Sequence, residues 1–85
     1  MEKHISYKTK SVCSRGIEID VDGDVITAVS FIGGCSGNTQ GVASLVRGMT
    51  IDEAINRLSG IKCGFKPTSC PDQLAEALKA YKATL

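Results

Sequence analysis

The chain has 85 residues and a net charge of +1, with 42% hydrophobic and 22% charged residues, ordinary globular usage that argues for one small domain over residues 1–85 and against disorder. So balanced a charge removes the one-signed field that a dedicated DNA, RNA or membrane-surface binder needs, and no apolar run approaches the ~18 residues of a membrane span. Met1-Glu2-Lys3-His4 lacks the apolar stretch of a signal peptide, so a cytoplasmic location is expected.

Residues 4–9 alternate, with Ile5, Tyr7 and Thr9 opposed to Ser6 and Lys8, as a half-buried strand does. Residues 16–22 alternate more cleanly, Ile17, Ile19 and Val21 against Glu18, Asp20 and Asp22, and Asp22-Gly23-Asp24 supplies hairpin-turn chemistry. Val25 to Ile32 is apolar on both faces and reads as the central, most covered strand. The period then changes. Val42, Leu45, Val46 and Met49 fall at i, i+3, i+4 and i+7; Ile51, Ala54, Ile55 and Leu58 repeat the spacing, as do Leu74, Ala77, Leu78 and Tyr81. Each set predicts one apolar helix stripe. Thr50 with Glu53 makes a capping box and Gly60 a helix stop. Ser69 with Asp72 resembles a cap for the third helix, with Pro71 acceptable in its first turn. The expected class is α+β: a small three-stranded antiparallel sheet followed by three helices packed on one face.

Four cysteines in so short a chain are what composition does not explain. Cys13 falls between the first two strands, Cys35 in the strand-to-helix turn Gly33-Gly34-Cys35-Ser36-Gly37-Asn38, Cys63 in the loop before the last helix and Cys70 in that helix's first turn. A reducing cytosol disfavours two disulfides, and no C-x-x-C occurs. Inert buried thiols, a redox or nucleophilic pair, and a metal site remain. None of the four takes a stripe position, where it would stand in for Leu or Val; all lie at element ends, where loops present side chains to a shared point. Two precede helices, whose free N–H groups and partial positive charge suit a thiolate ligand, and Gly33-Gly34 permits close backbone approach to a ligating sulfur. This placement favours Cys13, Cys35, Cys63 and Cys70 as the ligands of one metal. Zinc suits a closed tetrahedral site, and an iron–sulfur cluster takes the same four thiolates.

Other chemistries compete with that reading. Cys63 and Cys70 can be a reversible disulfide that delivers electrons, or Cys35 a nucleophile activated by its helix. No basic partner accompanies them, and the single histidine, His4, reads as a solvated residue near a strand start. The glycine-rich turn 33–38 can cradle a nucleotide phosphate, but no Gly-Lys-Ser/Thr or G-x-G-x-x-G supports it, and a tight turn around Cys35 is the simpler account. Arg15, Lys62 and Lys66 flank three of the cysteines, as charge compensation or as solvated side chains. Asp72 reads as a cap before an oxygen ligand, and Tyr81 as core. No self-sufficient active site with an acid, a base and a substrate pocket is legible.

Thr68-Ser69-Cys70-Pro71-Asp72 spells the motif of the TSCPD domain, and the Gly33-Gly34-Cys35-x-Gly37-Asn38 turn and the Ile61-x-Cys63-Gly64 segment are similar to that family. The resemblance runs from about Tyr7 to Ala80 and is nearest to the short stand-alone four-cysteine branch found in bacteria. Larger members carry the domain at the C-terminus of cobalamin-dependent ribonucleotide reductases. The resemblance implies a cysteine-ligated metal module, partnered by a ribonucleotide reductase or another protein. Its alternative is a ribonucleoside-diphosphate reductase-associated component that supports deoxynucleotide synthesis by thiol redox or nucleotide binding.

More distantly, the order of elements and the stretch from Asp24 through Phe31, Gly34-Cys35 and Met49-Thr50-Ile51-Asp52-Glu53-Ala54 resemble the NifU/IscU iron–sulfur scaffolds. Cys13, Cys35 and Cys70 fall at that family's three cysteine places, with Cys63 an extra thiol. The scaffold has an Asp shortly after its first cysteine, where this chain has Ser14-Arg15-Gly16, and a His before its last, where this chain has Ser69. The likeness with these departures implies a stably held metal rather than a cluster in transit.

Overall fold

The computed structural model describes residues 2–9, 14–33, 36–62 and 68–85. Three strands, β1 (Glu2–Lys8), β2 (Ser14–Asp22) and β3 (Val25–Gly33), are followed by three helices, α1 (Ser36–Val46), α2 (Ile51–Leu58) and α3 (Cys70–Lys82). This is the α+β order that the change of period predicts.

The strands pair antiparallel in the order β1-β2-β3. β2 is central, and Ile17, Ile19 and Val21 on its inner face are fully buried. Residues paired across antiparallel strands share a face, so Ile5 and Tyr7 of β1 lie with Ile19 and Ile17, and Val29 and Phe31 of β3 join the same two. The expectation that Val25–Ile32 forms the central strand is overturned: β3 is an edge. Its apolar look on both faces comes from a bulge. Asp20 pairs with Ala28 and Val21 with Ile26, which leaves Thr27 as an extra residue, and the Thr27 hydroxyl donates to the Asp20 carbonyl at 3.1 Å. One extra residue inverts the alternation. Ile26 thereby reaches the covered face with Val29 and Phe31 and is fully buried.

Val46, Ile51, Ala54, Leu74, Ala77 and Leu78 close the core from the helical side. α1 packs mainly on β3, and α2 mainly on α3. The stripe predicted on α3 is realised, with Leu74, Ala77 and Leu78 buried and Tyr81 partly so. The stripe predicted on α1 is realised in part: Val46 is buried and Val42 and Met49 pack against the core, but Leu45 is 73% exposed and Met49 lies beyond the helix end. Gly48, at φ +93°, turns the chain out of α1. Its N–H then donates to the Ile26 carbonyl at 2.8 Å, and the Ile26 N–H donates to the Met49 carbonyl at 2.9 Å. Main-chain pairing along β3, not helical period, decides where Met49 goes. At the start of α2 the Thr50 hydroxyl accepts from the Glu53 N–H at 3.1 Å, while the Glu53 carboxylate turns to Arg57 at 3.0 Å.

The last turn of α3 lies beside the β2–β3 turn, where Lys82 and Leu85 share a cleft with Gly23 and Asp24. Ala77, Tyr81 and Thr84 line a groove with Lys3, Ile5 and Tyr7 of β1. The helix has 13 residues and so is ~20 Å long. Its N-terminus therefore lies toward the opposite end of the sheet, where β2 begins and β3 ends.

Candidate metal centre

Of the four candidate ligands the structure describes Cys70, the first residue of α3 and only 8% exposed. Cys13, Cys35 and Cys63 lie outside the described residues, as do Gly34 and Lys66. Their sequence neighbours are described, and these show how the fold arranges the flanks of each cysteine.

Around Cys70 the motif residues form a latch. Ser69 is the N-cap of α3, its hydroxyl oxygen accepting from the Asp72 N–H at 3.2 Å while its proton goes to the Ile61 carbonyl at 2.6 Å. The Asp72 carboxylate accepts from the Gly60 N–H at 2.7 Å through Oδ1 and from the Thr68 hydroxyl through Oδ2. Gln73 Nε2 donates to Thr68 Oγ1 at 3.0 Å. Gly60 can serve as the donor because it bends the chain after α2 at φ +87°, a conformation costly for other residues. Thr68, Ser69 and Gln73 are all buried. The loop between α2 and α3 thus leaves at Gly60-Ile61 and returns at Thr68-Ser69 at one spot. Two peptide steps from Ile61 to Cys63 span at most ~7.6 Å, and Cys70 follows Ser69 directly.

Asp72 does something other than the capping expected of its side chain. Its N–H is capped by Ser69, and both carboxylate oxygens are taken by Gly60 and Thr68, so it is not an idle oxygen ligand. Burial pushes its carboxyl up, but the hydrogen bonds from Thr68 and Gly60, with the nearby Lys79 and Lys62 charges, outweigh that and hold it below the ordinary carboxylate value.

A second pair of flanks meets at the end of the sheet. Ser14, directly after Cys13, pairs with Gly33, two residues before Cys35. Paired Cα atoms of antiparallel strands lie ~4.5–5.5 Å apart. Beside them the Thr9 N–H donates to the Arg15 carbonyl at 3.3 Å. This is the end of the sheet toward which the N-terminus of α3 lies. Arg15 and Lys62 are exposed.

Among the described residues no three His, Cys, Asp or Glu side chains converge as a metal group. One titratable cluster does stand on the open face of the sheet, unforeseen in the reading of His4 as merely solvated. His4 Nδ1 contacts Asp20 Oδ1 at 2.5 Å and Nε2 contacts Glu18 Oε1 at 2.7 Å, and the Ser6 hydroxyl donates to the same Glu18 oxygen at 2.8 Å. The ring sits between its carboxylates, each on a different nitrogen, so they do not share a point at which an ion would bind. The hydrogen bonds to Asp20 and then to Glu18 raise the His4 pKa above 6.5. His4 and Ser6 in turn lower that of Glu18. The cluster was findable once the hairpin register was known, because His4 pairs with Asp20 and Ser6 with Glu18.

The family model of the TSCPD domain matches residues 2–82. No curated protein matches the chain, and no solved structure does.

Proposed function

The chain belongs to the TSCPD domain family, and from that membership and the pairing of the cysteine flanks two by two we propose that Cys13, Cys35, Cys63 and Cys70 bind one metal ion, zinc, in a small accessory module of a ribonucleotide-reducing enzyme. Family membership is consistent with such an association. The observation that supports the metal reading is the latch: Ser69 to Ile61 and Asp72 to Gly60 bring the sequence flanks of Cys63 and Cys70 together at the N-terminus of α3, while Ser14 and Gly33, the flanks of Cys13 and Cys35, pair in the sheet.

The donor set fits zinc. Four thiols supply a closed, tetrahedral, redox-silent site of the structural kind, and the one described ligand is already buried in the frame that α3 shares with the core. Zinc bound there would tie two strand ends to two helix ends, adding its binding free energy to a small fold. The chain's own part is positional. Thr68, Ser69 and Asp72 are engaged with each other and with the chain at Gly60-Ile61, which fixes the backbone on both sides of Cys70. No helix among the described residues is long and apolar enough to cross a membrane.

Elemental analysis of untagged protein purified anaerobically, with a visible spectrum of the same sample, tests the proposal. About one zinc per chain in a colourless sample is expected for a closed structural site. Iron with sulfide and a brown colour keeps the four ligands but replaces zinc by a cluster. A metal-free, folded protein overturns the reading.

A further inference from the structure

The two outer strands of the sheet are protected unequally. β1 carries Glu2, Lys3, His4 and Lys8 within seven residues, and charged side chains are one way an edge strand resists pairing with another chain. β3 has no charged residue and no proline in nine. Its start is covered by the main-chain bonds that link Gly48, Met49 and Ile51 to Asp24 and Ile26. From Ala28 to Gly33, β2 is its only partner strand among the described residues.

Beside this open edge, two hollows of about 340 and 220 Å³ adjoin at Val29 and Ala43 and form one groove between β3 and α1. At ~3.3 Å per strand residue, the stretch from Ala28 to Gly33 leaves room for an extended segment of about six residues. From the helix, Thr39, Gln40, Ala43 and Ser44 line the groove without charge, and Arg47 stands at its Ala28 end as the single cation. Arg47 is exposed and forms no ion pair among the described residues.

We infer that this groove takes an extended segment of a partner protein, which pairs antiparallel with β3 as a fourth strand and sets an Asp or Glu side chain on Arg47. In strand addition, main-chain hydrogen bonds supply affinity and side-chain contacts supply specificity. Here the open edge offers the main-chain groups, and the one charge is the selective contact. Antiparallel pairing brings the C-terminal end of the segment to Ala28, so the acidic residue belongs at that end. A second copy of β3 could pair with the edge but carries no carboxylate for Arg47, and a basic segment would be repelled. The inference requires neither the metal nor any particular identity of the enzyme served.

Amide NMR of the protein as purified, titrated with an acetylated and amidated six-residue peptide of alternating threonine and valine with glutamate last, tests it. The expected shifts fall on β3 from Ala28 to Gly33 and on α1. The same peptide with glutamine last binds about threefold or more weakly, as loss of an exposed ion pair requires. Arg47→Gln, an exposed change that leaves the fold intact, brings the two peptides level. Absence of shifts at millimolar peptide overturns the inference, as does equal binding of the two peptides to the parent protein or a response along β1 in place of β3. Shifts of the same β3 amides with protein concentration alone also overturn it and give the edge to a second copy.

Discussion

Asp72 at the start of α3 and the Glu18–Asp20 pair on the open face of the sheet are carboxylates put to opposite uses. Asp72 accepts from a main-chain N–H and a buried threonine, so its bonds fix the path of the backbone on both sides of the cysteine-bearing loop. Glu18 and Asp20 accept from His4 and Ser6, side chain to side chain, on a face open to water. Removing an exposed pair lets water replace it, whereas removing Asp72 takes the acceptor from the buried Thr68 hydroxyl. The same functional group is thus structural at one end of the molecule and a modulator of pH response on the other face.

The largest expected effect strikes the buried side of that comparison. Leu74→Ala empties a fully buried site under the N-terminal half of α3 and is expected to cost about 2–5 kcal/mol in urea unfolding, as cavity-forming truncations do. A loss under about 1 kcal/mol would mean the α3 packing is looser than described. Asp72→Ala comes next. It frees the Gly60 N–H and the Thr68 hydroxyl and is expected to cost about 1–3 kcal/mol, with bound metal falling as the loop ends part; Asp72→Asn should recover part of both, because its amide oxygen still accepts from Gly60. Equal losses in the two variants would show that charge, not the bond to Gly60, is what matters. Thr50→Ala, which removes the α2 cap far from the cysteines, should cost about 1 kcal/mol and leave metal content unchanged.

His4→Gln should change stability least at neutral pH, and its signature is a pH profile. Asp20 and Glu18 raise the His4 pKa above the 6.5 of the unfolded chain, so the stability it contributes is complete below 6.5 and is lost as pH rises through the raised value. Glu18 works in the other sense. His4 and Ser6 lower it from 4.5, so its contribution is present above 4.5 and is lost as pH falls through the lowered value. Urea midpoints measured across pH should therefore decline on the alkaline side of 6.5 in the parent and not in His4→Gln. Parallel profiles would contradict the assignment.

Much of the fold could be read from side-chain period, and the failures fall where the main chain departs from a regular repeat. The alternation of Ile17, Ile19 and Val21 and the stripe at Leu74, Ala77 and Leu78 identify buried faces because nothing interrupts the repeat. β3 was misplaced because the extra Thr27 shifts Ile26 to the other parity, and a one-residue insertion has no mark in composition. On α1 Leu45 alone leaves the predicted stripe, and Met49 reaches the core from beyond the helix end, where main-chain bonds to β3 hold it and no side-chain pattern records them. At the candidate site the sequence pointed to Cys70 and to Ser69 as a cap. It did not show that Asp72 reaches Gly60, since that contact depends on where α2 ends relative to α3. Cys13, Cys35 and Cys63 lie outside the described residues, and their role rests on their flanks.

If four cysteines from four segments share one metal, X-ray absorption at the metal edge of the purified protein shows it: zinc with a single shell of four sulfurs at about 2.3 Å is expected, and fewer than four in Cys70→Ser. A shell containing nitrogen or oxygen donors, or the absence of bound metal in a folded protein, would contradict it.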